Sequence, residues 1–483
     1  MQGIIGQVHR LRPAHWAFIG SLLLSWIAVG FEVTIAKDAA FYMDAAQVFV
    51  DQGLAATLAT FNWPWFSILV GITHALTGLP METTGYLWCA LLMAGTCALL
   101  VDMVSSRIPG SGGWACLVVL AMPAFNGFRN DILREFGFWF FSILALWLAL
   151  RWEARGGWGR GFLISVVVAL AALFRLEAVM LMAALCLWLL PGLGTTLGRK
   201  RFLQLILLPS LLMAVAVGGL FATDHLPLAR IQYYLLLLDP RTMFANFSAA
   251  AEQLGSNILQ KYSADDAGLI LLVGFIATAL LKFAKLLGPF CVPFLFRDGW
   301  RCLRDYLKGF SALAWAWVLY FGVLLIFFMQ QMFINGRYVS FLNLLAVPLA
   351  VLAMQALSRR FPRAIRGLVV VAVLVMLGNV ISLSAKKTHY IEAGHWLAQH
   401  IERTDAIYYE DPRIGYYAGW GYRLPSLTRE QAMNDEHFAE FRYFLIEEKA
   451  DEPWVQKWLA RRELKVLAQF ANKKNATVLV IGK

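Results

Sequence analysis

Asp38 and Tyr42 stand four residues apart in the stretch KDAAFYMDAAQVFVDQG, Lys37 to Gly53, and on a helix such a pair shares one face. A carboxylate that follows directly on an apolar segment, at that depth beside protein, is a candidate for function. The plainer reading is an acid that faces water, and that reading is given to Asp44 and Asp51, which share a different face. A second acidic pair, Asp131 and Glu135, lies in FRNDILREFGFWFF beside Arg129 and Arg134. Glu135 opens an aromatic run, so it either pairs with a cation at a helix end or serves as an acid at the membrane edge. Arg175 and Glu177 stand between two short apolar runs. In INGRYVSF, Arg337 and Tyr338 sit where two spans join. An arginine there either snorkels to headgroups or clamps a phosphate with its planar fork.

The elements that must position these groups are read from the apolar runs. Hydrophobic residues make up 59% of the 483 and charged ones only 15%, too few polar groups to cover a soluble domain of this size. Apolar runs near 14–35, 83–104, 113–128, 135–150, 161–174, 178–193, 202–223, 267–287, 310–334, 338–357 and 367–384 predict about eleven transmembrane helices. No small-residue cleavage site follows the first run, so it is read as a retained helix. Pro289 and Pro293 break LLGPFCVPFLF, which is expected to bend or to lie along the surface. Residues 36–82 are read as an amphipathic outer loop, with the aromatic FNWPWF run inside it.

Charge sets the orientation. With the N-terminus inside, the cytoplasmic turns hold 17 Lys and Arg, including Arg10, Arg107, Arg151, Arg155, Arg160 and Arg359, against eight outside, including Arg129, Arg175, Arg230 and Arg337. Such a bias fixes topology, and an odd span count then puts the last hundred residues outside. The net charge of +11 lies in these turns, which removes nucleic acid as its explanation. From Lys386 onward 15 basic residues meet 14 acidic ones. The expected localisation is a bacterial inner membrane, with residues 1–385 the transmembrane domain and 386–483 a soluble periplasmic one.

That last segment reads as a small α/β domain. HYIEAGHWLAQHI is an amphipathic helix with Ile391, Trp396, Leu397 and Ile401 on one side, EPWVQKWLARRE is a second, and AIYYED, YFLIEE, LKVLAQF and ATVLVIG are strand-like. It has no nucleotide fingerprint and is read as a scaffold or an acceptor-docking module. The six cysteines lie in or beside apolar segments with no CxxC or Cys/His spacing, which speaks against structural zinc.

Taken together, the chain resembles the GT-C glycosyltransferases, and more narrowly the protein O-mannosyltransferase and aminoarabinose transferase type. That type carries Asp-Asp/Glu-x-x-Tyr at the start of a long first outer loop, then a glycine and a proline-containing turn. Here these are Asp38-Ala-Ala-Phe-Tyr42, Gly53 and Pro64. Glu135, and less well Asp131, matches an acid near the start of the fourth span, and Arg337-Tyr338 matches an Arg-Tyr before a late span. Two positions depart from the pattern: Ala39 replaces the second acid and Trp63 a lysine of some members.

The resemblance implies an all-α polytopic fold with a small extracytoplasmic α/β domain, and an inverting transfer of sugar from a polyprenyl-phosphate donor to an acceptor hydroxyl. Asp38 would be the general base and Glu135 a second catalytic acid. Arg337, Tyr338, Arg175 and Arg134 would hold the donor phosphate and its lipid, while Tyr42, Asp131 and Glu177 would meet acceptor or sugar. The acceptor would be a surface protein such as a pilin, a lipid A or a glycan, and the enzyme a monomer. No cofactor is required, and a divalent metal at paired acids stays open. A flippase of lipid-linked sugars, or a polysaccharide polymerase or ligase, are the rival readings. No internal inverted repeat supports the first of these.

Overall fold

The computed structural model describes residues 12–222, 239–382 and 384–483, with the side chains of 208 and 212–222 left aside. Arg10, Arg230 and the rest of residues 223–238 therefore fall outside the described residues. Every one of the eleven apolar runs has a helix in it, running from Pro13–Gly30 to Ala364–Val380. Among the described residues six helices are long and apolar enough to cross a membrane. A seventh span is added if Gly336–Leu345 and Val347–Arg360, bent by 62° at Ala346, count as one. The rest are shorter apolar helices such as Gly112–Ala121 and Trp158–Phe174. The chain is a multi-pass membrane protein. Large apolar side chains such as Trp26, Leu281 and Val370 face outward from it, as lipid-facing positions do.

The described chain forms two compact units. The first comprises Met1–Trp26, Cys89–Arg129 and Arg134–Val380. Its centre is aromatic: Phe138 and Phe341 rings lie 4.5 Å apart and Tyr320 meets Phe341 edge-on at 4.9 Å. Those three rings pack the helices Glu135–Arg155, Ser311–Gln331 and Gly336–Leu345 together, and so fix the chain on either side of Glu135 and Arg337. Gly161 allows the helices Trp158–Phe174 and Thr196–Ala222 to touch backbone to backbone, since a Cβ there would meet the Gln204 carbonyl oxygen at 2.5 Å. Pro289 and Pro293 fall in a 3-10 segment, Gly288–Leu295, after the Ala267–Leu287 helix.

The second unit comprises Ile27–Trp88, Asn130–Leu133 and Ile381–Lys483. The expected outer loop is a helical hairpin, Lys37–Thr60 and Trp65–Thr77, and it packs with the C-terminal segment. The first helix is interrupted at Gly53, whose φ of 81° only glycine adopts cheaply. All four expected strands form, as β1 (Ile407–Tyr409), β2 (Tyr443–Ile446), β3 (Lys465–Ala471) and β4 (Thr477–Gly482). Their order is β1-β2-β4-β3, with β1 parallel to β2 and the other pairs antiparallel.

Alternation along the strands divides the core between two faces. Phe444, Ile446, Leu479 and Ile481 pack with Val455 and Leu459 of the Pro453–Arg462 helix. Leu445, Val478 and Val480 pack with Tyr390, Ala393 and Leu397 of the Thr388–His400 helix. Covered on both sides, β4 is buried at every residue. The buried stripe of that last helix differs from the one expected. Tyr390, Ala393, Leu397 and Ile401 face the core, while Ile391 turns away and Trp396 is only partly buried. Gly394 decides the rotation, because it lies against the Ile414 carbonyl and Tyr417, closer than any side chain permits.

Candidate active site

In the first unit the fold gathers six of the residues singled out in the sequence. Glu135 opens its helix with the carboxylate in the first turn, where the helix dipole favours it. Its Oε1 accepts a hydrogen bond from Arg175 Nη1 at 2.8 Å and lies 3.4 Å from Arg337 Nε. Its second oxygen, Oε2, is buried with no hydrogen-bond partner among the described residues. Arg175 sits at an extended break between the Trp158–Phe174 helix and a 3-10 turn, Leu176–Val179. From there it also donates to Glu177, at 2.6 Å through Nη2. The break between these two short apolar runs thus faces inward, with the Arg175 side chain only 8% exposed.

Arg337 and Tyr338 come from the start of the Gly336–Leu345 helix, capped by Asn335, whose side chain accepts the Arg337 N–H. Arg337 Nη2 donates to the Tyr338 hydroxyl at 3.2 Å. The Arg175 guanidinium stands 4.5 Å above the Tyr338 ring, a cation–π contact. The Tyr320 hydroxyl holds the Tyr338 carbonyl at 3.1 Å. Arg134, just before the helix, is close enough for its charge to act on Glu177. The guanidinium groups of Arg175, Arg337 and Arg134 and the carboxylates of Glu135 and Glu177 thus lie together among aromatic rings. Guanidinium groups present forked donors of the geometry that phosphate oxygens accept.

The Asp131–Glu135 pairing assumed a helix, but the chain turns irregularly through 127–134 and the helix begins only at Glu135. Arg129, read only as a neighbour of these acids, organises that turn. It is buried, and it bonds Asn126 Oδ1 at 2.7 Å, the Ser21 carbonyl and hydroxyl at 3.0 and 2.9 Å, and the Ser25 hydroxyl at 2.9 Å. No carboxylate pairs with it among the described residues. Two serines four apart on the first helix were the available signal.

Asp38 and Tyr42 belong to the second unit, on successive turns of the Lys37–Thr60 helix. Tyr42 is buried between Phe61 and Phe66, with ring centroids at 6.0 and 5.8 Å, so its ring is a packing element. The helix start is held by residues the sequence reading passed over. Lys37 Nζ lies 3.1 Å from Asp411, which is fully buried and takes a bidentate pair from Arg413 at 2.9 and 2.7 Å. Arg413 also donates to the Ile35 carbonyl, and the Tyr417 hydroxyl accepts the Ile35 N–H at 2.9 Å. The signal was Asp-Pro-Arg at 411–413, an N-cap followed by a first-turn proline. Burial would raise the Asp411 carboxyl, but the Arg413 guanidinium overrides it and holds it below the ordinary range.

Asp51 is exposed, as expected, but Asp44 is not a solvated bystander. Burial pushes its carboxyl upward, against the Tyr422 N–H that it accepts and the charges of Arg423 and Arg403. Those two arginines, with Tyr409 and Trp420, line a cleft of about 310 Å³. Among the described residues no group of three or more His, Cys, Asp or Glu side chains could hold a metal ion.

Comparison with solved structures decides the fold. The aminoarabinose transferase ArnT of Cupriavidus metallidurans, in its apo state, superposes with a TM-score of 0.60 at 12% identity, over 96% of this chain and 97% of that one. The same protein bound to undecaprenyl phosphate gives 0.59 at 13% identity over the same shares. The chain has the GT-C fold. An oligosaccharyltransferase of Archaeoglobus fulgidus aligns over 95% of this chain and 72% of that one, at a TM-score of 0.48 and 10% identity. No family model and no curated protein matches the chain in sequence.

Two outcomes follow from these geometries. Removing one partner of a buried ion pair costs roughly 3–5 kcal/mol, so Glu135→Gln should lower the thermal unfolding midpoint of the purified protein well below that of Glu177→Gln, whose carboxylate is partly exposed. Asp411 has its carboxyl depressed, so its contribution to stability is present above the ordinary unfolded value of about 4 and is lost as pH falls through the folded one. The stability deficit of Asp411→Asn should therefore be large near neutral pH and shrink as pH falls below the ordinary carboxylate value of about 4 in denaturant titrations. A deficit that does not change with pH would contradict this assignment.

Proposed function

We propose that the protein is an integral membrane glycosyltransferase that moves a sugar from a polyprenyl-phosphate donor to an acceptor hydroxyl, with inversion at the transferred carbon. The observation that carries this reading is the arginine-rich cluster around Glu135 in a GT-C fold. It is supported by a fold neighbour whose structure holds undecaprenyl phosphate. Such a donor needs no nucleotide-binding fold. It needs a site for one phosphate at the membrane and a base for the incoming hydroxyl.

In this reading Asp38 takes the acceptor's proton while the acceptor oxygen attacks the anomeric carbon from the face opposite the phosphate. As the bond from that carbon to the phosphate oxygen breaks, its electron pair stays on the phosphate. Arg337, Arg175 and Arg134 stabilise the charge that builds there, and Tyr338 keeps the two nearer guanidinium groups aligned. Glu135 orients Arg175 and Arg337 through Oε1, and its second oxygen is available to a sugar hydroxyl. Glu177, held by Arg175, completes the support, and Tyr42 and Asp131 would border the acceptor side. The cleft of Arg403, Tyr409, Trp420 and Arg423 suits docking of a polar acceptor by the C-terminal domain. The loop charge bias places the N-terminus in the cytoplasm and the C-terminal domain in the periplasm of a bacterial inner membrane.

The test uses purified protein with radiolabelled polyprenyl-phosphate sugars and cell-envelope extract. Asp38→Asn should abolish loss of label from the donor while leaving donor binding and the unfolding midpoint near those of the parent. Arg337→Ala should weaken donor binding and slow transfer by roughly two orders of magnitude. Donor affinity left near normal in Arg337→Ala would remove its role. Lipids that bind but are never consumed would favour translocation of the lipid-linked sugar.

A further inference from the structure

A second arginine-rich site lies at the other end of the helix that Glu135 opens. The 21 residues of Glu135–Arg155 span about 30 Å at the usual rise, so a headgroup at Arg155 is not one held at Glu135. Here a pocket of about 600 Å³ is lined by Trp147, Arg151, Trp152, Arg155, Arg160 and Leu163, with no carboxylate in its wall. Asp102 is the one acid that pairs with any of its guanidinium groups, at 2.8 Å from Arg151. Arg155 and Arg160 have no ion pair among the described residues.

The wall is preorganised. Asp102 accepts from Trp147 Nε1 at 2.8 Å as well as from Arg151, and the Arg151 guanidinium stacks 3.9 Å above the Trp147 ring. The turn that carries Arg155 toward Arg160 runs through Gly156 and Gly157, with φ of 63° and 109°, where a side chain would be strained. Trp152 Nε1 donates to the Gly157 carbonyl at 3.1 Å, and the Gly157 N–H donates to Gln204 Oε1 at 3.0 Å. The cations are thus held on a fixed turn at the junction of two apolar helices, beside the apolar faces of Leu148 and Leu163.

We propose that this pocket binds the headgroup of an anionic glycerophospholipid. A basic pocket between membrane helices is the arrangement that recognises such headgroups, and tryptophans favour the same interfacial depth. The unpaired guanidinium groups take the phosphate, and the apolar wall takes the glycerol and the first acyl carbons. The bilayer supplies this ligand at high local concentration, which a soluble anion lacks. This inference is independent of the transfer reading.

Native mass spectrometry of the full chain in uncharged detergent tests it, with phosphatidylglycerol, phosphatidylcholine, undecaprenyl phosphate and inorganic phosphate as separate probes. Phosphatidylglycerol should bind in preference to phosphatidylcholine, and Arg155→Ala with Arg160→Ala should weaken it by about tenfold or more. Both side chains are exposed, so the unfolding midpoint without lipid should stay that of the parent. Equal binding of the two phospholipids, or full binding by the double variant, would overturn the proposal. So would displacement of phosphatidylglycerol by millimolar inorganic phosphate, which marks a plain anion site. Undecaprenyl phosphate bound as tightly, and lost in the same variant, would overturn it in favour of the carrier lipid.

Discussion

The buried contact of Glu135 with Arg175 is the constraint on which the first unit is arranged. Two charges taken out of water are costly unless each finds close, well-aligned partners, and here each partner is delivered by a different element. Arg175 reaches Glu135 because the chain is extended at that residue, between two short helices. Arg337 arrives from a helix start capped by Asn335. The aromatic packing of Phe138, Tyr320 and Phe341 keeps those elements in place. A third guanidinium, Arg134, stands near enough for its charge to act on Glu177.

The second unit applies the same rule to different ends. Asp411 is fully buried, and Arg413 and Lys37 share its charge. Because Lys37 begins the helix that carries Asp38, this pairing ties the proposed base to the C-terminal segment. Ile35 is held by both Arg413 and Tyr417, so the start of that helix is fixed on the residue before it as well. A carboxylate expected to take a proton gains from such rigidity, because its direction need not be found anew for each acceptor.

The architecture was readable because it follows from local pattern. Apolar runs of span length and strands alternating between two core faces are written into single segments, and each expected run and strand has its element. Glu135, Arg175, Glu177, Arg337 and Tyr338 were each conspicuous as charged or polar residues at the ends of apolar runs. Their convergence was not visible, since it depends on packing among segments up to 200 residues apart. The helical spacing of Asp131 and Glu135 was assumed where the chain in fact turns. Asp44 was misjudged because the backbone of Tyr422 lies far away in sequence. The Asp411–Arg413 pair was missed for a similar reason: only the fold reveals that its neighbours are Lys37 and Ile35.

The most direct test of the central claim is a structure of the purified protein with undecaprenyl phosphate, at a resolution that places the phosphate. The account predicts phosphate oxygens within hydrogen-bond distance of Arg337 and Arg175, with Glu135 still paired to Arg175. A phosphate bound away from these arginines, with the Glu135 cluster left intact and untouched, would contradict it.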